Sequence, residues 1–312
     1  MKILQSISNQ LAPLTAAGAV IAFIYPPSFL IFKDVFLWMF AATMFSLGMV
    51  LELDDLKTTV KEPGKISLGL LAQYTIMPAL GFAAAWFSQL EPQVAIGLII
   101  VACAPGAMAS NVVVYLAGGA LAYSIALTTV ATMLSPILTP ALVQWLGGAF
   151  LPIEFWPMMK TILLTVLLPL LTGISLKHVL GDKAQPVVNA APAIAVLAIV
   201  VICSYAVAAN QTRLVELGPT LLITVIIVNA WGYIVGWQLA RLFRFNRRHK
   251  IALSIEIGMQ NAGLGVALAL KHFEPETALP GAIFAVWCII TAAGMTAFLR
   301  RGKMKREFAA FD

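Results

Sequence analysis

The stretch between Glu91 and Glu154 runs for 62 residues without one formally charged side chain. Such a stretch needs an apolar environment, and it is long enough for two membrane-spanning helices, because one span needs roughly 20 residues. The whole chain is 61% hydrophobic and only 11% charged, whereas about a quarter of an average soluble domain is charged. The sequence therefore predicts an all-α polytopic membrane protein.

Apolar runs of membrane-spanning length recur along the chain. We predict ten transmembrane helices, at 11–31, 35–52, 66–88, 93–117, 120–146, 155–177, 187–209, 217–240, 250–270 and 279–299. Ten spans place both termini on one side of the membrane. That side then holds 16 of the 20 Lys and Arg residues, and the opposite side holds Lys33, Lys160, Arg213 and Lys271. Because basic loops favour the cytoplasm, both termini are predicted to be cytoplasmic.

The most basic loop is "RLFRFNRRHK", residues 241–250. A run of this kind can bind nucleic acid, but it stands directly between two predicted spans. There it is expected to anchor the helices at lipid headgroups. We therefore predict membrane lipid as a partner and no nucleic-acid partner.

Glu256 stands within "SIEIGMQNAGLG", in a segment from Ile251 to Leu270 that has no other charged residue. A carboxylate at this depth costs a few kcal/mol unless it is neutralised or partnered. Gln260 follows at i+4 on the same helical face, and Gly258 weakens the helix. A break there would place free carbonyls beside a carboxylate and an amide, a set of oxygens that suits Na⁺. Alternatively, Glu256 lies near enough to the cytoplasmic interface to reach water or to pair with Arg247 or Lys250.

A second unusual segment is "CAPGAMASNVVVYLAGG", residues 103–119, in the fourth predicted span. Pro105 and Gly106 interrupt its helix, and Ser110 with Asn111 follows as a pair of oxygen ligands or helix caps. The alternative is a proline kink packed by small residues. The two interrupted spans are the fourth and the ninth, and this spacing predicts a 5+5 inverted repeat with a binding site where the breaks meet.

Neighbouring spans add polar groups. Ser124 and Thr128 in the fifth span are i,i+4 and face the same way, and Gln73 precedes Pro78 in the third. Each has a structural alternative, because Ser and Thr hydroxyls also bond to carbonyls of their own helix, and Gln can bond to a neighbouring helix.

Three segments in order, "CAPGAMASNVVVYLAGG", "SIALTTVATMLSPILTP" and "EIGMQNAGLGVAL", resemble the bile acid:sodium symporter family, most closely its bacterial members. The resemblance extends through the whole chain. It implies discontinuous, crossing helices 4 and 9, a panel domain at 1–62 and 150–210, a core domain at 66–146 and 215–300, and a cytoplasmic tail at 301–312. It also implies a bacterial inner-membrane location. We predict a monomer.

The resemblance further implies two Na⁺ sites, which bind the ions that are coupled to transport of the substrate. The ligands that it assigns to the first site are Ser110, Asn111, Ser124, Thr128 and Glu256. Those of the second site are Gln73, Glu256, Ile257, Met259 and Gln260, where Ile257 and Met259 act through their backbone carbonyls.

The substrate implied by the resemblance is an organic anion, either bile-salt-like or a small carboxylate. Half-helix N-termini favour an anion, and Asn111 and Asn261 are the side chains best placed to hydrogen-bond it. Met108 is expected at the same site. It stands where relatives that bind a small hydroxy acid carry a small polar residue, so that ligand does not transfer directly.

We therefore predict a sodium-coupled symporter that imports an organic anion by alternating access. Proton coupling through Glu256 is the alternative, because a buried carboxylate can titrate. A channel would share the polar midplane, and an intramembrane enzyme would need a nucleophile or a metal set. Neither HExxH nor GxSxG occurs in the sequence, and its three histidines fall near span ends, so no enzyme activity is expected.

Overall fold

A computed structural model describes residues 11–51 and 61–308. Within these ranges the chain is folded into α-helices joined by short connections. The longer helices are α1 (Leu11–Ile24), α2 (Phe36–Val50), α3 (Pro63–Phe87), α4 (Pro92–Ala102), α5 (Ser110–Leu116), α6 (Leu121–Gly147), α7 (Phe155–Ile162), α8 (Leu168–Leu180), α9 (Gln185–Ala209), α10 (Gln211–Leu242), α11 (Arg247–Gly258), α12 (Ala262–His272) and α13 (Leu279–Phe308).

Five helical stretches in the described residues are long and apolar enough to cross a membrane. They are Pro63–Phe87, Leu121–Gly147, Phe155–Ala209, Pro219–Leu242 and Pro275–Ala292. The third has 55 residues and contains α7, α8 and α9, and shorter apolar helices lie at Pro13–Ile24, Phe36–Val50 and Pro92–Ala102. The chain is accordingly a multi-pass, all-α membrane protein. The count of ten spans and the inverted repeat stay predictions.

Helix ends differ from the predicted spans where proline intervenes. α1 ends at Ile24 rather than at residue 31, because Pro26 and Pro27 follow, and proline disfavours the helical conformation of the residue before it. A short helix, Pro27–Leu30, comes next.

The last helix also differs from its predicted span. α13 continues to Phe308, so residues 301–308 of the predicted tail are helical. Residues 309–312, Lys2 and Lys57, and parts 1–10 and 52–60 of the predicted panel domain, lie outside the described residues.

Both interruptions predicted from the sequence are present as breaks between helices. The first break, residues 103–109, separates α4 from α5, and the second, residues 259–261, separates α11 from α12. Pro105 supplies the cause of the first break, because it has no N–H for the helical ladder. The second break contains no proline. There the next helix, α12, begins with Asn261 as its N-cap, and the Asn261 side chain accepts a hydrogen bond from the Leu264 N–H.

The two breaks cross each other through an antiparallel backbone bridge between Gly106 and Gln260. The Ala107 N–H donates to the Met259 carbonyl at 2.8 Å, and the Asn261 N–H donates to the Pro105 carbonyl at 2.9 Å. Each break therefore satisfies polar groups that the other break has released from its helix. Unwound backbone is tolerated in an apolar interior when it is paired in this way.

The helices pack in two groups. α2 packs against α8 and α9, and α9 also packs against α1. In the other group α10 packs on α3 and α11, and α6 contacts α3, α5 and α11. α12 contacts both α2 and α9, so the second break lies near the boundary between the groups. The panel and core boundaries drawn from the sequence remain a prediction.

Candidate functional site

Glu256 lies in the last turn of α11 with only 1% of its surface exposed. Its Oε1 atom accepts hydrogen bonds from the Ser110 hydroxyl at 2.5 Å and from the Ser124 hydroxyl. Its Oε2 atom accepts from the Thr128 hydroxyl at 2.6 Å. In the described part of the chain it forms no ion pair with Arg247 or Lys250, so the interface alternative is not what the structure contains. A buried carboxylate is thus surrounded by neutral hydroxyl groups.

Local geometry explains how three hydroxyls reach one carboxylate. Ser124 and Thr128 are one turn apart on α6 and face α11, as their i,i+4 spacing predicts. Ser110 is the first residue of α5 and follows the first break. The Thr128 hydroxyl also lies 2.9 Å from the Ser124 carbonyl. Because a hydroxyl has one proton, Thr128 donates either to Glu256 or to its own helix.

Asn111 completes the first predicted group. Its Oδ1 atom lies 2.8 Å from the Ser124 hydroxyl, whose single proton goes either to Asn111 or to Glu256. The fold therefore brings together all five residues of this group, from α5, α6 and α11. Their role as a Na⁺ site stays a prediction.

The second predicted group surrounds the other side of the crossing. Gln73 Nε2, on α3, donates to Gln260 Oε1 at 2.8 Å and lies 3.2 Å from the Ala104 carbonyl. Gln260 Nε2 donates to the Ile257 carbonyl at 2.7 Å. Gln73 Oε1 is buried and has no hydrogen-bond partner within the described residues. An unsatisfied buried acceptor usually costs about 1–3 kcal/mol of stability, and a cation bound to this oxygen would remove that cost.

Gly106 separates Glu256 from the second group. It bridges to Gln260, and a Cβ atom placed on it would lie 2.7 Å from Glu256 Oε2. Only glycine fits here without a shift of the neighbours. No hydrogen bond joins Glu256 to Gln73 or Gln260 among the described residues, so a ligand role for Glu256 in both groups stays a prediction.

A cavity of about 390 Å³ lies beside the crossing, between α2, α9 and the two breaks. None of the described residues that line it is charged, and the polar ones among them are Thr43, Ser46, Asn111, Gln260 and Asn261. Met108, Asn111 and Asn261, the three residues predicted to contact the substrate, all line this cavity. The remaining lining is largely aliphatic, with Phe40 from α2 as its aromatic member.

The amide groups of Asn111 and Asn261 can each present a donor to the cavity. Asn111 Oδ1 lies 2.8 Å from the Ser124 hydroxyl, and Asn261 Oδ1 caps α12 by accepting from the Leu264 N–H at 3.0 Å. In both residues the oxygen is engaged inside the protein, which leaves the NH₂ group as the part that suits an anion. The cavity thus combines apolar walls with two amide groups at one end.

Sequence reasoning missed Asn229 and the steric role of Gly106. Asn229 lies on α10, is fully buried, and donates to the Gly258 carbonyl at 2.8 Å. The signal was an amide near the middle of the apolar eighth span, where a polar side chain needs a partner. Gly106 was interpreted only as a helix breaker, because its closeness to Glu256 depends on contacts between distant segments.

Comparison with known proteins gives one family. A family model described as "Sodium Bile acid symporter family" matches residues 37–217, more than half of the chain. This range contains Gln73 and the first break with Ser110 and Asn111, and it ends before Glu256.

Full-length relatives carry related names. The protein named "Uncharacterized sodium-dependent transporter YocS" of Bacillus subtilis (strain 168) is 36% identical over 289 residues, which cover 93% of this chain and 90% of that protein. "Probable sodium/metabolite cotransporter BASS1, chloroplastic" of Oryza sativa subsp. japonica is 36% identical over 273 residues, 87% of this chain and 67% of the relative. The corresponding BASS6 protein of Arabidopsis thaliana is 31% identical over 311 residues, 96% of this chain and 76% of the relative.

Proposed function

Because the chain belongs to the sodium bile acid symporter family, we propose that it imports an organic anion together with two Na⁺ ions by alternating access. Sodium-coupled transport is what the names of its relatives have in common, and the chain is accordingly a transporter and not an enzyme. The stoichiometry, the ligands and the substrate below are our proposals.

The observation that carries the proposal is the buried Glu256 carboxylate under three hydroxyls from α5 and α6. Neutral donors reduce the cost of burying an ionised carboxylate, but they do not cancel its charge. A small cation would cancel it, and hydroxyl groups can rotate to present their lone pairs to that cation. The proposed first Na⁺ site consists of Ser110, Asn111, Ser124, Thr128 and Glu256.

The unpartnered Gln73 Oε1 atom supports a second site on the other side of Gly106. The Ile257 and Met259 carbonyls each already accept one hydrogen bond, and a carbonyl oxygen has a second lone pair for a cation. The proposed ligands are Gln73, Glu256 and Gln260 with these two carbonyls. All are oxygen atoms, which hard cations prefer over nitrogen or sulfur.

The anion is proposed to bind in the cavity next to the crossing. A negative charge there would meet the Asn111 and Asn261 amide groups and lie near the N-terminus of α12, whose dipole favours anions. The nearby Na⁺ ions would supply the positive charge that the described lining residues lack, which couples the binding of substrate to the binding of sodium. The apolar walls would hold the body of the substrate.

The position of the cavity supports alternating access. It lies between α2 and α9 on one side and the crossing breaks on the other, so relative motion of the two helix groups would change which side of the membrane it opens to. We assign the moving units to the panel residues 1–62 and 150–210 and to the core residues 66–146 and 215–300.

The decisive experiment is uptake into proteoliposomes containing the purified protein. Bile salts and small carboxylates, first ranked by competition in a sodium-dependent thermal-shift assay, are supplied with an inward Na⁺ gradient or an equal K⁺ gradient. The proposal expects saturable uptake with Na⁺ alone. Uptake that persists without Na⁺ and follows an imposed pH gradient would establish the proton-coupled alternative through Glu256, and non-saturable flux would indicate a channel.

A further inference from the structure

Asn229 is a fully buried amide on α10, and its two polar ends face different helices. Its Nδ2 atom donates to the Gly258 carbonyl at 2.8 Å. Its Oδ1 atom lies 2.9 Å from the Thr291 hydroxyl on α13, whose single proton has the Cys288 carbonyl at 3.0 Å and the Trp287 carbonyl at 3.2 Å as its other acceptors. Because the Gly258 carbonyl can only accept, the NH₂ group faces the break between α11 and α12, and the Asn229 oxygen faces Thr291.

The Gly258 carbonyl is one that the break has released. In a continuous helix it would accept from the Ala262 N–H, but that N–H donates to the Gln260 carbonyl at 2.8 Å. The Asn229 amide therefore replaces the hydrogen bond that the helix has lost. Buried carbonyls without a partner are rare and costly, so this bond favours the unwound conformation over a continuous helix.

α10 packs closely against the residues that precede the second break. A Cβ atom on Gly232 would lie 3.2 Å from the Gly258 Cα atom and 3.3 Å from the Ile257 carbonyl oxygen. A Cβ atom on Gly258 would lie 2.5 Å from the ring of Tyr233. Gly232 thus allows α10 to approach the backbone of the break, and Gly258 leaves room for the Tyr233 ring. Asn229 lies one turn before Gly232 on α10.

We propose that Asn229, oriented by Thr291, is a positioning residue for the second Na⁺ site. This inference rests on the function proposed above. The peptide that Asn229 holds lies between Ile257 and Met259, whose carbonyls are the backbone ligands in that proposal. Fixing the Gly258 carbonyl toward α10 sets the rotation of the peptides on either side, and so directs their carbonyls toward Gln73 and Gln260. Asn229 itself does not contact the ion.

The test compares Asn229→Ala with Asn210→Ala, a matched change of another buried asparagine. Asn210 also donates to backbone carbonyls, those of Ala206 and Pro275, but lies away from the crossing. The measurement is the Na⁺ concentration for half-maximal uptake, and for half-maximal thermal stabilisation of the purified protein. Loss of groups that orient metal ligands usually costs 10–100-fold in affinity, so Asn229→Ala is expected to raise both values at least about tenfold, while Asn210→Ala leaves them unchanged.

A second pair of variants keeps the proposal testable when Asn229→Ala does not fold. Thr291→Val removes the hydroxyl that orients Asn229, and Thr291→Ser retains it. Thr291→Val is expected to raise the Na⁺ requirement several-fold, and Thr291→Ser to restore the wild-type value. Combining Asn229→Ala with Gln73→Ala should cost less than the sum of the separate effects, because both act on one site.

The outcomes separate this inference from the proposed function. Wild-type protein without any Na⁺ dependence would overturn both. Normal Na⁺ dependence of the wild type, with a folded Asn229→Ala that matches Asn210→Ala, would overturn the role of Asn229 alone. Equal effects of Thr291→Val and Thr291→Ser would also overturn it.

Discussion

Ala107 donates its backbone N–H to the Met259 carbonyl at 2.8 Å, and this bond joins the two helix breaks into one structure. The reciprocal bond from Asn261 to Pro105 completes an antiparallel pair. Segments that are about 150 residues apart in the sequence therefore depend on each other for their conformation. A ligand that binds at the crossing would contact both breaks at once, which suits a transporter that couples two binding events.

The charge of Glu256 is expected to control all sodium dependence. Glu256→Gln keeps the size of the side chain but removes the charge, so it should raise the Na⁺ concentration for half-maximal uptake more than tenfold. Ser124→Ala and Gln73→Ala should each weaken only one site, which lowers the cooperativity of Na⁺ activation. Normal Na⁺ activation in folded Glu256→Gln would exclude a shared ligand.

Gly106→Ala should weaken Na⁺ binding without a change of charge or hydrogen-bonding groups. The added methyl group would lie 2.7 Å from Glu256 Oε2, so the carboxylate must move. We expect at least about a tenfold rise in half-saturating Na⁺. Gly64→Ala is the matched control, because nothing lies within 4 Å of the added atom there. Equal Na⁺ affinities of the two variants would refute the steric role of Gly106.

Na⁺ should stabilise the detergent-solubilised protein, and K⁺ should not. A ligand that binds only the folded state adds about 2.7 kcal/mol per site at a concentration of about 100 times its Kd. Thermal unfolding in NaCl and in KCl of equal ionic strength measures the difference. Equal shifts with both salts would mean a general salt effect instead of a specific site.

Transport of a monoanion with two Na⁺ ions should be electrogenic. Such a cycle moves one net positive charge, for which a potential of about 100 mV supplies about 2.3 kcal/mol. A tenfold Na⁺ gradient adds about 1.4 kcal/mol for each ion, and the total sustains accumulation of several thousandfold. Uptake measured with valinomycin-imposed potentials tests this. Transport of a confirmed monoanion that ignores the potential would rule out two Na⁺ per substrate.

Glu62, just before α3, should make stability depend on pH. A hydrogen bond from Lys65 at 2.7 Å, together with His249 at 3.1 Å, holds the pKa of Glu62 below its usual value of 4.5. Its contribution to stability is therefore complete above about pH 4.5 and is lost as the pH falls through the lowered pKa. Between pH 6 and pH 3.5, Glu62→Gln should lose less thermal stability than the wild type. Parallel losses in both proteins would contradict this.

The sequence by itself determined the class of the protein and the places where its helices are interrupted. Hydropathy is a local property, so runs of apolar residues marked the helices, and Pro105 and the glycines near Gly258 marked the breaks. Glu256 stood out for the same reason, because a carboxylate within an apolar span needs a partner wherever the rest of the chain lies. The family resemblance then added ligand sets that hydropathy alone does not contain.

Only the tertiary structure decided which groups meet. Ser110 and Glu256 are 146 positions apart in the sequence. No local pattern predicts that the Ser110 hydroxyl forms a hydrogen bond with the Glu256 carboxylate. The same holds for Asn229, whose partners Gly258 and Thr291 belong to different helices, and for Gly106, whose neighbour is a side chain of the opposite break. These contacts depend on packing between distant segments, whereas the helix signals depend on residues one or two turns apart.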